Sequence, residues 1–421
     1  MRRISLPGTG MLLTVIVLFE ASAFGLIAFR GETLDIQALI IGGGIIFMFL
    51  LSYNLMNHIF AGVDRYALII VNILACLGFI MQYRLNPGTA MRQMVWYAIG
   101  TVCMFIAAAV VQRVKVETWH KLRYWLMIGG IGLLSLSYLF GKDINGAKNW
   151  FNIGGIAIQP SEFVKIMLVF VIAAVIDRSR KIVTHLPMFA FVAFAMGLLV
   201  LQTDLGAAML YAFTFLILYY VGTSNLVITG LGLAAGAGGA VLSYKLFSHV
   251  KRRVAVWQDP WQDATGSGYQ IVHGLTAIAS GGILGMGLYQ GTPGSIPFAS
   301  TDYIFAAICE EMGILAGVCI VAFFILLTFR GAITALNARQ PFYSILAFGC
   351  TTILMLQSFI IIGGVTKMIP LTGITLPFVS YGGSSMLTCM IMIGILQGIN
   401  IRNADLDRAD LESMGMGGEF K

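Results

Sequence analysis

Apolar runs of bilayer-crossing length recur along this chain, and they leave little choice of fold. Twelve apolar segments can be read, at 11–29, 37–57, 66–82, 94–111, 124–140, 163–176, 187–201, 207–221, 225–247, 303–328, 343–366 and 378–398. A helix crosses the hydrocarbon core with roughly 20 predominantly apolar residues; the sixth segment is short for this and is expected to extend into Glu162 or to tilt. Only 11% of the residues are charged and 58% are hydrophobic, against roughly 25% charged in soluble domains. No single soluble core hides that much apolar surface. The 49 glycines suit membrane helices, where small residues let backbones approach. The expectation is an all-α polytopic membrane protein of about 12 transmembrane helices, with one long polar interruption at 248–302 and no separate soluble domain.

The net charge of +7 does not indicate nucleic acid, because the basic residues are scattered through short loops. That distribution instead orients spans against anionic headgroups. With the N-terminus in the cytoplasm, cytoplasmic segments hold fifteen Lys and Arg: Arg2, Arg3, Arg65, Arg113, Lys115, Lys121, Arg123, Arg178, Arg180, Lys181, Arg330, Arg339, Arg402, Arg408 and Lys421. The opposite side, leaving 248–302 aside, holds six: Arg30, Arg84, Arg92, Lys142, Lys148 and Lys367. The excess puts both termini in the cytoplasm and the long loop outside. Residues 1–23 carry signal-peptide features, with Arg2–Arg3, an apolar run and Ala21-Ser22-Ala23. Apolar character resumes through Phe29, so an uncleaved first helix is expected. The charged tail from Arg402 onward is expected to be mobile. All six cysteines fall inside apolar segments without CxxC spacing, which makes them small packing residues rather than metal ligands or disulfides.

Ionisable groups inside membrane segments are costly, so each is a candidate for function. Glu162 and Lys165 share a helix face at i, i+3, behind Pro160 and a Ser161 that can cap the helix. As bare spacing this reads first as an ion pair tying helices together. Asp204 could pair with Lys165 or a basic ligand, or simply cap a helix. One of Glu310 and Glu311 is expected to face the bundle interior, and Glu20 to be an interior hydrogen-bonded acid. In the outer loop 141–162, Asn145, Lys148, Asn149 and Trp150 are either an interfacial anchor or a sugar or phosphate contact. Pro370, Gly373 and Pro377 set irregular backbone in 367–386, ending in Tyr381-Gly382-Gly383-Ser384-Ser385. Such backbone survives at membrane depth only when buried in protein or lining a wet cavity.

The stretches NGAKNWFNIGGIAIQPSEFVKI, QTDLGAAM, GSGYQIVHGLTAIASGGILGMG, TDYIFAAICEEMGILAG and PLTGITLPFVSYGGSSM, in that order, resemble the SEDS family of RodA, FtsW and SpoVE. The resemblance covers about residues 66–400 and implies a ten-helix core, two extra N-terminal helices over 1–65, and a cytoplasmic tail over 401–421. It further implies a peptidoglycan glycosyltransferase of the bacterial cytoplasmic membrane that polymerises lipid II on the outer face, releasing undecaprenyl pyrophosphate. A class B penicillin-binding protein is the implied partner. The family motif Asp-Pro-x-Gly-x-Gly-Tyr sets its essential acid six residues before the Tyr; Tyr269 therefore selects Asp263, not Asp259. The chain departs from the family at Ala264 (usually Pro), His273 (commonly Gln), Thr203 (usually Pro) and Ser300 (commonly His).

Joining two sugars requires a hydroxyl to lose its proton, hence a positioned carboxylate base, which the resemblance assigns to Asp263. The departing pyrophosphate needs cations. Arg92, Lys148, Lys251, Arg252 and Arg253 stand on the outer side. The expected substrate-binding set is Arg92, Lys148, Glu162, Lys165, Asp204, Arg252, Tyr269 and Ser384. A divalent cation, magnesium or manganese, could share the phosphate role, although no ligand constellation is visible. Two other classes compete: a transporter flipping lipid II, which would more often show repeat symmetry and broken helices in both halves, and a non-catalytic scaffold for the penicillin-binding protein. The sequence shows neither repeat nor broken helix.

Overall fold

The computed structural model describes residues 8–30, 33–144, 147–153, 156–179 and 181–414. Arg2, Arg3, Asn145, Arg180 and Lys421, with the side chain of Lys148, lie outside the described residues. The order is α1 (Thr9–Ala28), α2 (Ile36–Ile59), α3 (Arg65–Leu85), α4 (Pro87–Arg113), α5 (Val116–Phe140), β1 (Lys142–Ile144), β2 (Ala147–Ile153), β3 (Ile156–Ile158), α6 (Pro160–Arg178), α7 (Ile182–Leu201), α8 (Leu205–Thr223) and α9 (Leu226–Leu246). It continues with α10 (Ser248–Gln258), α11 (Tyr269–Gly281), α12 (Ile304–Asn337), α13 (Pro341–Val365) and α14 (Gly383–Ser413). Eleven of these are long and apolar enough to cross a membrane among the described residues. The twelfth expected span is α6, which does extend through Glu162; its 19 residues carry Glu162, Lys165, Asp177 and Arg178, too many charges to read as a plain apolar span. This is an all-α polytopic membrane fold.

Helix starts follow local chemistry. Asp35, Asp64, Asn86, Asp204 and Asn225 each accept a backbone N–H of the first turn of α2, α3, α4, α8 and α9, satisfying donors that would otherwise be orphaned. Ser161 does not cap α6: Pro160 opens the helix and the Ser161 hydroxyl turns 3.4 Å from Asp204 Oδ2. α3, α13 and α14 form the buried centre, while α9 buries none of its residues. α14 lies close along α4 because Gly394 and Gly398 leave room; a Cβ there would stand 2.4 Å from Met104 O and 2.6 Å from Ala108 O.

Four expectations need correction. The tail from Arg402 is not loose over its described length. α14 continues to Ser413, Arg402 donates to Gln112 O and Val114 O at 2.9 and 3.2 Å, and Arg339 pairs with Asp407 and Asp410. Lys142–Ile144, Ala147–Ile153 and Ile156–Ile158 form a three-stranded antiparallel sheet, β1-β2-β3. The polar interruption 248–302 is largely helical, with α10, α11 and short 3-10 turns at Pro260–Asp263 and Pro293–Ser295. Finally α12 is broken: Gly313 has φ +85, and the freed groups pair with the 282–287 turn, Ile314 N–H donating to Gly282 O and Met286 N–H to Glu310 O, both at 2.9 Å. The break is thus filled by protein backbone rather than opened as a cavity.

Segments assigned to opposite sides by the charge count gather at opposite ends of the bundle. At one end Arg84 meets Gly291, Trp257 meets Lys367 and Tyr381 meets Ser300. At the other Arg330 meets Asp64 and Arg402 meets Val114. The charge excess predicts which end faces out. A Gln262→Cys variant should react with a membrane-impermeant maleimide in intact cells, and Arg339→Cys only after lysis; the reverse pattern would invert the orientation.

Candidate functional site

At the end of the bundle that holds the long loop, two polar networks lie side by side. The first is centred on Lys165, which is buried on α6. It pairs with Glu162 one turn back and donates to Gln357 Oε1 of α13 at 3.0 Å. Gln357 in turn donates to Thr375 O at 2.9 Å and Ser385 Oγ at 3.3 Å, and Thr388 of α14 donates to Glu162 at 2.8 Å. One ion pair therefore joins three helices and the 367–382 segment. Its amide and hydroxyl partners satisfy charges that burial would otherwise penalise.

The second network is centred on Asp204 at the head of α8. Its carboxylate accepts from Asn149 of β2 at 2.7 Å, Gln159 at 2.9 Å, Ser161 at 3.4 Å and the Ala207 N–H at 3.1 Å. The small sheet thus has a purpose in the fold: it delivers Asn149 to Asp204. Tyr211 of α8 donates to Ser161 O at 2.6 Å, locking α6 against α8.

Above both lies α10. Residues Arg253 and Trp257, one turn apart, reach the irregular segment together: Arg253 donates to Thr372 O at 3.4 Å and Trp257 Nε1 to Lys367 O at 3.1 Å. Burial holds Arg253 below the ordinary guanidinium range, and the negative charges of Asp204 and Asp302 offset that only in part. Asp302, at the head of α12, is pushed up to about 6, chiefly by burial; the Thr301 hydrogen bond and Arg253 act in the opposite direction. Beyond α10, the 3-10 turn Pro260–Asp263 presents Asp263 to solvent. Ser267 donates both its N–H, at 2.7 Å, and its hydroxyl, at 2.9 Å, to Asp263 Oδ2. These two donors hold the Asp263 carboxyl below the ordinary carboxylate range.

The family model for FtsW, RodA and SpoVE, described as a cell cycle protein, matches residues 53–405. The chain belongs to this family. RodA of Mycobacterium tuberculosis, named a peptidoglycan glycosyltransferase, is 36% identical over 80% of this chain and 78% of its own length. A probable peptidoglycan glycosyltransferase FtsW of Geobacter sulfurreducens is 33% identical over 81% and 96%. Stage V sporulation protein E of Bacillus subtilis is 33% identical over 80% and 96%. Among solved structures, a chain of a peptidoglycan synthase complex coordinating polymerization and crosslinking matches with TM-score 0.68 and 26% identity, over 80% of this chain and 97% of that one. RodA of Thermus thermophilus shares the fold, at TM-score 0.60 and 24% identity, over 80% and 96%.

Within this family member, the residues expected to act together divide. Glu162, Lys165 and Asp204 do lie beneath the loop, but Lys165 pairs with Glu162 and Gln357 rather than with Asp204. Ser385, not Ser384, supplies the hydroxyl to the Lys165 network. Arg252 is exposed, and its neighbour Arg253 is the one turned inward. Arg92 is exposed one turn before Trp96, whose indole lies against Gly383. Tyr269 opens α11, with its ring centroid 4.1 Å from that of His273 and the two rings tilted by 49°. Both Glu310 and Glu311 are buried: Arg84 pairs with Glu311 at 3.0 Å, and the Thr292 N–H donates to Glu310 at 2.9 Å. Glu20 is buried with neither carboxyl oxygen hydrogen-bonded among the described residues, contrary to the expected interior bond. Asn149 stands out in the sequence only as an anchor or a sugar or phosphate contact, not as a partner of Asp204, and neither Gln357 nor the inward turn of Arg253 has a local signal.

Lys165→Met leaves Glu162 buried without its cation and is expected to cost about 3–5 kcal/mol. Lys165→Met combined with Glu162→Gln should recover much of that loss. Thermal unfolding of the purified variants in detergent measures both; equal loss in the single and double variants would show that the pair is not coupled.

Proposed function

We propose that this protein is a peptidoglycan glycosyltransferase that polymerises lipid II at the outer membrane face, with Asp263 as general base. The names of its mycobacterial and Geobacter relatives support the activity and the substrate class. The observation carrying the residue assignment is the docking of α10 onto the 367–372 segment. It places the Asp263 turn directly after a helix anchored by Arg253 and Trp257. Asp263 takes the proton from the 4-hydroxyl of one sugar as that oxygen bonds to the anomeric carbon of another. The bond from that carbon to the lipid pyrophosphate breaks, and its electron pair departs with the phosphate oxygen. A carboxylate held ionised by Ser267 is ready for this step at neutral pH, with Oδ1 left available to the proton. Arg253, anchored and flanked by Asp204 and Asp302, offers fixed positive charge to the leaving pyrophosphate.

Among the described residues no three His, Cys, Asp or Glu side chains converge as a metal site. A magnesium or manganese ion would need the substrate's phosphates to complete its ligands, so no step is assigned to one. The partner we propose is a class B penicillin-binding protein; a structural neighbour comes from a complex that couples polymerization to crosslinking. Both termini are placed in the cytoplasm by the charge count.

Asp263→Asn should lower glycan polymerisation by purified protein from lipid II by roughly 100-fold or more, with partner binding intact. Full activity in that variant would remove Asp263 from the mechanism. Polymer formed by the wild type also separates the enzyme from a lipid II transporter or a scaffold, neither of which makes polymer. Ser267→Ala supplies a finer test. Activity requires the ionised base and is lost as pH falls through its pKa. Removing the Ser267 hydroxyl raises that pKa toward the ordinary value, so the acidic limb of the rate profile moves to higher pH; an unmoved limb would mean that Ser267 does not tune the base.

A further inference from the structure

Where the added helix α1 meets the outer loop, a groove of about 620 Å³ opens away from the site described above. Gly25, Leu26, Phe29 and Arg30 form one wall, and Leu288 and Tyr289 the other. The Tyr289 ring lies between two guanidinium groups, Arg84 at 4.1 Å and Arg30 at 4.4 Å. Arg84 is already committed, to Glu311 at 3.0 Å and to Gly291 O at 3.2 Å. Arg30 is exposed, and among the described residues no carboxylate pairs with it. Leu26 and Phe29 are 68% and 74% exposed beside it. Tyr289 also holds φ +69, a left-handed conformation that an aromatic residue adopts only when its surroundings impose it.

An exposed cation at the end of a membrane helix, with no carboxylate partner among the described residues and an apolar slot running from it, matches one kind of molecule. A lipid's phosphate sits at headgroup level and its acyl chain lies below. We propose that this groove seats one phospholipid with an anionic headgroup, its phosphate on Arg30 and an acyl chain against Leu26, Phe29 and Leu288. One wall of the groove, on α1, precedes residue 53, where the family match begins, while Leu288 and Tyr289 of the other wall lie within it. It connects to the outer loop through Tyr289, Arg84 and Glu311, the last beside the break in α12. The inference rests on α1 spanning the membrane and stands apart from the glycosyltransferase reading.

Native mass spectrometry of the purified full chain, titrated with dioleoylphosphatidylglycerol, tests it. The wild type should retain one saturable lipid adduct, and Arg30→Gln should bind roughly tenfold more weakly. Gly25→Leu keeps the charge but fills the slot; a Cβ at Gly25 meets no atom within 4 Å, so the fold should tolerate it, and it should lose the adduct as well. Dioleoylphosphatidylcholine and inorganic phosphate should each bind more weakly than the anionic lipid. Undiminished binding in either variant would overturn the proposal. So would phosphatidylcholine or inorganic phosphate equalling phosphatidylglycerol, or tighter binding of an isoprenoid monophosphate.

Discussion

Backbone that leaves helical geometry at membrane depth must find its hydrogen bonds within the protein, and the end of the bundle that holds the long loop is organised by that requirement. Three glutamines meet it for the 367–382 segment. Gln82 donates to Val379 O at 2.8 Å, Gln93 to Ser380 O at 3.2 Å and Gln357 to Thr375 O at 2.9 Å. Ser380 accepts the Leu376 N–H at 2.9 Å and donates to Thr301 O at 2.6 Å. Each donor comes from the buried interior of the bundle, so the irregular segment is held rigidly by the surrounding helices. The break in α12 obeys the same rule with a different solution, exchanging backbone bonds with the 282–287 turn.

That rigid floor supports the loop that carries the proposed base. α10 carries Arg253 and Trp257 onto carbonyls of the irregular segment, and Asp263 follows within a few residues. The polar groups beneath divide the labour. Lys165 and Glu162 couple α6 to α13 and α14, while Asp204 gathers the sheet, α6 and α8. Neither network leaves its central charge bare. The proposed base is different: it is exposed, and Ser267 donates to it through both its N–H and its hydroxyl.

Much of this was legible without coordinates because membrane burial writes itself into composition and spacing. Glu162 and Lys165 stand at i, i+3, and α-helical geometry alone puts them together. Asp204 lies before an apolar run and caps it, as its residue type favours. The choice of Arg253 over Arg252 was not legible, since adjacent residues on a helix point about 100° apart and only the docked partner says which direction is inward. That Ser385 joins the Lys165 network was hidden for the same reason. The continuation of α14 past Arg402 was hidden by polar composition; Arg339 and the carbonyls at Gln112 and Val114, far away in sequence, hold it in place.

The sequence by itself determined the class of fold, the number of spans and the family, because the bilayer admits few structures and the motifs occur in a fixed order. It also determined which carboxylate to suspect in the loop, through its register with Tyr269. Tertiary structure alone decided which polar groups meet: Gln357 with Lys165, Asn149 with Asp204, Arg84 with Glu311. It alone revealed the break at Gly313 and the groove beside Arg30. These arise where segments distant in sequence meet, 55 residues apart for Asn149 and Asp204 and 227 for Arg84 and Glu311, and no local propensity records such an encounter.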